Sequence, residues 1–254
     1  MYIHNPVPEL STAENFLRLI RFDGNYTHLE AQILDLALIL HAEHGGGNNS
    51  SLTVHVVSSA DTDTYSAIAA AVGSLKGRRH GGANIRVVEM MDDIKANVKD
   101  WSDEKAIREY LTKIASRKAF DKTGLIYGMG HAIYTISDPR AILLNELAEK
   151  LAKEKNALDE FNLYKRIERI APEVLYSIHG TGKQICANVD FFSGFVYTML
   201  GIPRELYTPL FAISRVAGWS AHRIEEVSAG GRIYRPAYKN VCPERKYIPM
   251  DQRK

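Results

Sequence analysis

The chain has 254 residues, 45% of them hydrophobic and 24% charged, with a formal net charge of +2. This is an ordinary globular composition, long enough for one large domain or two small ones. Near-neutrality removes any electrostatic reason to expect nucleic acid or an anionic membrane as partner, though it leaves room for a local cationic pocket. The two cysteines, Cys186 and Cys242, form no CxxC pair, so a disulfide framework is not expected and a reducing compartment is.

Residues 1–6 lack the basic and apolar regions of a signal peptide. The most apolar later stretch, 195–213, is interrupted by Pro203, Arg204, Glu205 and Pro209 and does not read as a membrane span. The expectation is a soluble, cytoplasmic protein.

Helix signals then dominate along the chain. Ser11 with Glu14, and Thr27 with Glu30, fit the capping box in which two helix-end donors are satisfied reciprocally. After Thr27, apolar residues recur near helical spacing until Gly45. The run 52–57 has the β-branched content of a strand, but its surroundings are helical and context is expected to override propensity. Helices are predicted over 65–75, 85–98 and 103–115, the last opening after Ser102 with Asp103 and Glu104 complementing its dipole. Two more follow Asp138-Pro139, separated around Asn156. Another covers about 190–200, and the last long one about 207–227. Gly81-Gly82 and Gly201-Ile202-Pro203 are the natural hinges, bracketing a middle segment that moves against its flanks.

Four separated segments carry ionisable groups beside glycines, where missing side-chain bulk lets a small polar ligand approach the backbone. In His41-Ala42-Glu43-His44-Gly45-Gly46-Gly47-Asn48-Asn49-Ser50 the two histidines lie three apart, without HExxH spacing or a third ligand, so no metal is expected there. His80-Gly81-Gly82-Ala83-Asn84 follows, then Gly128-Met129-Gly130-His131-Ala132, with Arg140 placed to hold a carboxylate bidentately. Asn188-Val189-Asp190 ends the set. An apolar surround would make Asp190 a stronger base, although a carboxylate there also serves as a helix cap. Arg215 and Arg235 are further anion candidates. Gly180-Thr181-Gly182-Lys183 imitates the end of a phosphate loop but fails it, because Ser177 replaces the first glycine and Gln184 follows the lysine.

Taken together, the HxxHGGGN-type turn, HGGAN, GxGHA followed by DPR, NVDxxSG and Ser214-Arg215 resemble citrate synthase of the si type, along essentially the whole chain. The resemblance implies an all-α fold, with a small domain at 82–201 between large-domain segments at 1–81 and 202–254. It implies condensation of acetyl-CoA with oxaloacetate, then hydrolysis of citryl-CoA, by a homodimer that needs no cofactor beyond the coenzyme A thioester substrate. Asp190 would remove the methyl proton, His80 would stabilise the enol and His131 would polarise the ketone of oxaloacetate. His44, Arg140 and Arg215 would hold the carboxylates, with Arg235 reaching in from a neighbouring subunit. Ala132 and Thr135 stand where members often carry basic residues near coenzyme A. Members extend further on the N-terminal side, so the chain resembles their C-terminal portion. The rival readings are 2-methylcitrate synthase, which uses propionyl-CoA, and a non-catalytic ligand-binding or oligomerisation module.

Overall fold

The computed structural model describes residues 3–77, 80–131, 134, 136–180 and 184–253. The described residues form ten α-helices and two short 3-10 turns: α1 (Thr12–Ile20), α2 (His28–His41), α3 (Asn49–Ser58), α4 (Thr64–Leu75), α5 (Ala83–Asn97), α6 (Glu104–Ala115), α7 (Pro139–Glu154), α8 (Leu158–His179), α9 (Val189–Met199) and α10 (Tyr207–Ala229). Among them the only extended pairing is one antiparallel bridge between Met129 and Ala187. The fold is all-α, as the sequence resemblance implies. The β-branched run 52–57 lies inside α3, so context does override strand propensity there.

Local chemistry accounts for the helix ends. Both capping boxes form, Ser11 with Glu14 and Thr27 with Glu30. Asp103, read from sequence as the first residue of α6, instead caps it, accepting from the backbone of Lys105 and Ala106. The break near Asn156 is a left-handed residue at φ 54° between α7 and α8. Helix α8 buries Phe161, Tyr164, Ile167, Ala171 and Val174, a helical stripe packed against α6 and α7.

The main core runs from Ala13 to Leu210 and gathers the buried faces of α1, α2 and α5 through α9. Helix α9 is buried nearly all round and sits between α5 and α7. Gly194 makes this possible, since a Cβ there would come 2.8 Å from Val88 Cγ2. A smaller core of Val54, Ala71, Leu75 and Trp219 joins α3, α4 and α10. A cavity lined by residues of both assemblies lies between them.

One buried ionic cluster ties α2 to α7. Glu30, with 2% of its side chain exposed, takes Arg21 bidentately and Lys155. Burial opposes its ionisation, but Arg21 and Lys155 win and hold its pKa at about 2. Its stabilising contribution is therefore complete above the ordinary glutamate range and fades as pH falls toward 2. Glu30→Gln is expected to cost about 2–3 kcal/mol at pH 7, with the gap to wild type in thermal unfolding closing between pH 5 and pH 2.

Candidate active site

Four helix N-termini converge on one cavity. Asn48 caps α3, Asn84 lies in the first turn of α5, Arg140 in that of α7, and Asn188 caps α9; all four line the space. Each terminus presents the positive end of a helix dipole, which suits a small anion. The cavity, about 120 Å³, is also lined by His44, His80, His131, Asp190 and Arg215. Six of the seven residues singled out from sequence are thus brought together. The seventh, Arg235, is exposed in the extended tail after α10 and does not line this chain's cavity.

Asp190 sits in the first turn of α9, its backbone N–H donating to the Asn188 cap. Burial pushes its pKa up to about 6, against the pull of Arg140 and Arg215. No described side chain donates to its carboxylate, so its basicity is not spent within the protein.

His80 lies between α4 and α5, its Nε2 3.0 Å from Ser50 Oγ. Ser50, fully buried in the first turn of α3, also accepts from Trp219 Nε1. Burial lowers the pKa of His80, with Arg215 adding to the effect, so the ring is neutral at physiological pH. Ser50 Oγ also lies 2.7 Å from Asn48 Oδ1, and its single proton serves one of these two acceptors; when it goes to Nε2, Nδ1–H becomes the ring's single donor.

His131 is carried by a turn strapped to the entry of α9. Asn188 N–H donates to Gly128 O, Asn188 Nδ2 to Gly130 O, and Gly130 N–H to Cys186 O. Gly128 has φ +80°, and a Cβ there would come 2.7 Å from Phe191, so only glycine lets the turn close against α9. Tyr134 N–H donates to His131 Nδ1, leaving Nε2 toward His44 Nε2 at 3.1 Å. Burial, followed by Arg140 and His131, lowers His44 to about 4. His41 is separate: it is buried against Phe211, and burial with Arg215 and Arg140 holds it neutral at about 3. It is a core histidine.

The two arginines differ. Arg215 Nε donates to His41 O, its guanidinium lies 4.7 Å from the Phe211 ring centre, and Nη1 is buried without a partner among the described residues. Burial lowers its pKa to about 10, still cationic at neutral pH. A buried cation with an unspent donor favours a carboxylate. Arg140 departs from expectation: its bidentate edge is already taken, Nε and Nη2 donating to Asp138 Oδ1 and Oδ2 at 3.0 and 2.8 Å. The rest of the guanidinium remains for a ligand.

Asp138 was visible as a helix-start signal but not as part of the site. Fully buried, it caps α7 through Arg140 N–H and accepts from Val189 N–H, locking the starts of α7 and α9 together. Ser50 closes the first glycine-rich segment, but no signal in the sequence assigns it a role. Ala132 and Thr135, and the glycine-lysine segment 181–183, lie outside the described residues.

Comparison with known proteins follows the same lines. The family described as citrate synthase, C-terminal domain, matches residues 2–237. A citrate synthase of Synechocystis sp. is 37% identical over 249 residues, 98% of this chain and 58% of that protein. A 2-methylcitrate synthase of Shewanella oneidensis is 39% identical over 227 residues, 89% of this chain and 54% of that protein. The structure of Thermoplasma acidophilum citrate synthase in ternary complex with carboxymethyl coenzyme A and oxaloacetate aligns at TM-score 0.81 and 33% identity, over 100% of this chain and 63% of that one. The chain spans less than two thirds of each of these proteins. With a match running over almost its entire length, the chain belongs to the citrate synthase family, in the part described as its C-terminal domain.

Proposed function

We propose that this cavity condenses the acetyl group of acetyl-CoA with oxaloacetate and then hydrolyses citryl-CoA. The observation that carries the reading is a carboxylate of raised proton affinity, Asp190, in one cavity with a Ser50-anchored neutral histidine and two arginines. A thioester α-proton is weakly acidic, so a carboxylate removes it only where the developing enolate oxygen is stabilised.

Asp190 takes a methyl proton while His80 Nδ1–H hydrogen-bonds the thioester oxygen, giving an enol-like nucleophile. Its methylene carbon bonds to the ketone carbon of oxaloacetate, whose oxygen is polarised by His131. Arg140, Arg215 and His44 hold the carboxylates. The convergent helix dipoles favour the same dianion. Water then cleaves the thioester and releases coenzyme A. Closure about Gly81-Gly82 and Gly201-Pro203, moving 82–201 against its flanks, keeps water out until the carbon–carbon bond has formed.

In this reading the protein is cytoplasmic; no helix among the described residues is long and apolar enough to cross a membrane. It works as a homodimer, with Arg235 contributed by the neighbouring subunit. Exposed Leu52 and Val56 on α3, with Tyr65 and Val72 on α4, offer an apolar face for a second copy.

The test is oxaloacetate-dependent release of free thiol, compared between acetyl-CoA and propionyl-CoA. One methylene is worth about 10–200-fold in kcat/KM. Preference for acetyl-CoA supports the proposal. Preference for propionyl-CoA supports the rival represented by the 39%-identical relative. Oxaloacetate binding without thiol release with either thioester supports a non-catalytic module. Ser50→Ala is expected to lower kcat about 10–100-fold and shift its pH profile, because the tautomer of His80 is then unfixed; an unchanged pH profile would leave Ser50 a packing residue.

A further inference from the structure

Outside the cavity, α3 packs on α10 and brings together two histidines 167 residues apart in sequence, His55 and His222. Neither lines the cavity described above. His55 Nε2 faces His222 Nδ1 at 3.1 Å.

The outer nitrogens are held by carboxylates. His55 Nδ1 lies 2.7 Å from Glu226 Oε2, which also accepts the Tyr234 hydroxyl at 2.8 Å. His222 Nε2 lies 3.0 Å from the Glu43 carboxylate, which also accepts from the backbone of His44 and Gly45. An ionised carboxylate only accepts, so each outer nitrogen carries its ring's proton. The two inner nitrogens then present lone pairs to each other, an arrangement that is stable only with a cation between them. A third ligand stands alongside: Glu225 Oε2 is 3.7 Å from His222 Nδ1, and the three candidate donor atoms lie within 4.8 Å of one another.

We propose that His55 Nε2, His222 Nδ1 and Glu225 bind a divalent transition-metal ion of the zinc class. Zinc–nitrogen bonds of about 2.0–2.1 Å place adjacent nitrogens of a tetrahedral site about 3.3 Å apart, close to the spacing here. Imidazole donors select this class over magnesium or calcium. Glu226 and Glu43 are the outer carboxylates that orient ligating histidines and raise their basicity. Glu225 is largely exposed, which leaves the fourth position to water. No spaced histidine motif announces the site, because its ligands come from two helices. Through Glu43 the ion would steady the turn carrying His44, and through Glu226 and Tyr234 the tail carrying Arg235. The site itself does not depend on the acyl-transfer reading.

The experiment is titration of untagged, metal-free protein with Co2+, followed by visible spectroscopy, then displacement by Zn2+. One equivalent with the intense bands of a four-coordinate ion is expected. His55→Ala and His222→Ala should each weaken binding by more than about 100-fold, and Glu226→Gln by about 10–100-fold. Glu225→Gln, at an exposed position, should weaken it without changing the melting temperature of the metal-free protein. Cys242→Ser should leave binding intact. The proposal is overturned if Co2+ does not bind stoichiometrically, or if binding survives both histidine substitutions. It is also overturned if NMR shows a proton shared between the two rings that Zn2+ does not displace. Co2+ spectra of the wild-type protein decide the matter even if a histidine variant fails to fold.

Discussion

Asp190→Asn is expected to abolish oxaloacetate-dependent thiol release while raising the melting temperature at pH 7. The first effect follows from removing the base, a step worth about 10²–10⁴-fold. The second follows from burial, which pushes the pKa of Asp190 from the ordinary aspartate value to about 6. Between those values the folded chain binds more protons than the unfolded one, so this group's contribution to stability falls as pH rises through the interval. Above pH 6 the ionised carboxylate is a cost, at most about 3 kcal/mol. Asparagine removes that cost, and its stability advantage should shrink as pH drops from about 6 and be gone below about 4. The wild-type rate should fall as pH descends through about 6, where the base becomes protonated. A variant that lost activity and stability together would make Asp190 a structural cap rather than the base.

Asp138→Ala is expected to be the most destabilising substitution near the cavity. Burial opposes ionisation of Asp138, but Arg140 and the backbone N–H groups of Arg140 and Val189 hold its pKa below the ordinary value. Its contribution is present above the normal aspartate range and fades as the carboxylate is protonated in acid. Removing one partner of a buried pair costs about 3–5 kcal/mol, and here it also frees the starts of α7 and α9. Arg140 loses the bidentate partner that aims it, so the KM for oxaloacetate should rise more than kcat falls. Asp138→Asn keeps the volume and one acceptor, and should lose less on both counts. Urea unfolding and steady-state kinetics on the two variants check this. Equal stability of Asp138→Ala and wild type would remove the carboxylate from its place as the lock between the two helices.

Sequence reasoning reached the helices whose ends are written locally. The capping boxes at Ser11 and Thr27, the break at Asn156 and the start at Asp138-Pro139 are short-range chemistry and stand where expected. It also gathered His44, His80, His131, Arg140, Asp190 and Arg215, because each sits on a turn or helix beside a marked motif. What escaped it depends on contacts between distant segments. Ser50 meets His80 only because α3 and α4 fold back on each other, and Asp138 meets Val189 across 51 positions. That Asp138 occupies the bidentate edge of Arg140 is a matter of side-chain geometry, which the spacing of two residues does not specify. His55 and His222 are further apart still, and α3 and α10 join them only in the tertiary fold.

Thiol release alone does not distinguish condensation from simple thioester hydrolysis, so the most direct measurement follows the carbon. Acetyl-CoA labelled with carbon-13 at the methyl group is incubated with oxaloacetate and the protein, and the product is read by NMR. The account predicts that the methyl signal becomes the methylene signal of citrate, and that Asp190→Asn prevents the change. Label that stays in a methyl group, as unreacted thioester or as acetate, would contradict the assignment of the cavity as a condensing centre.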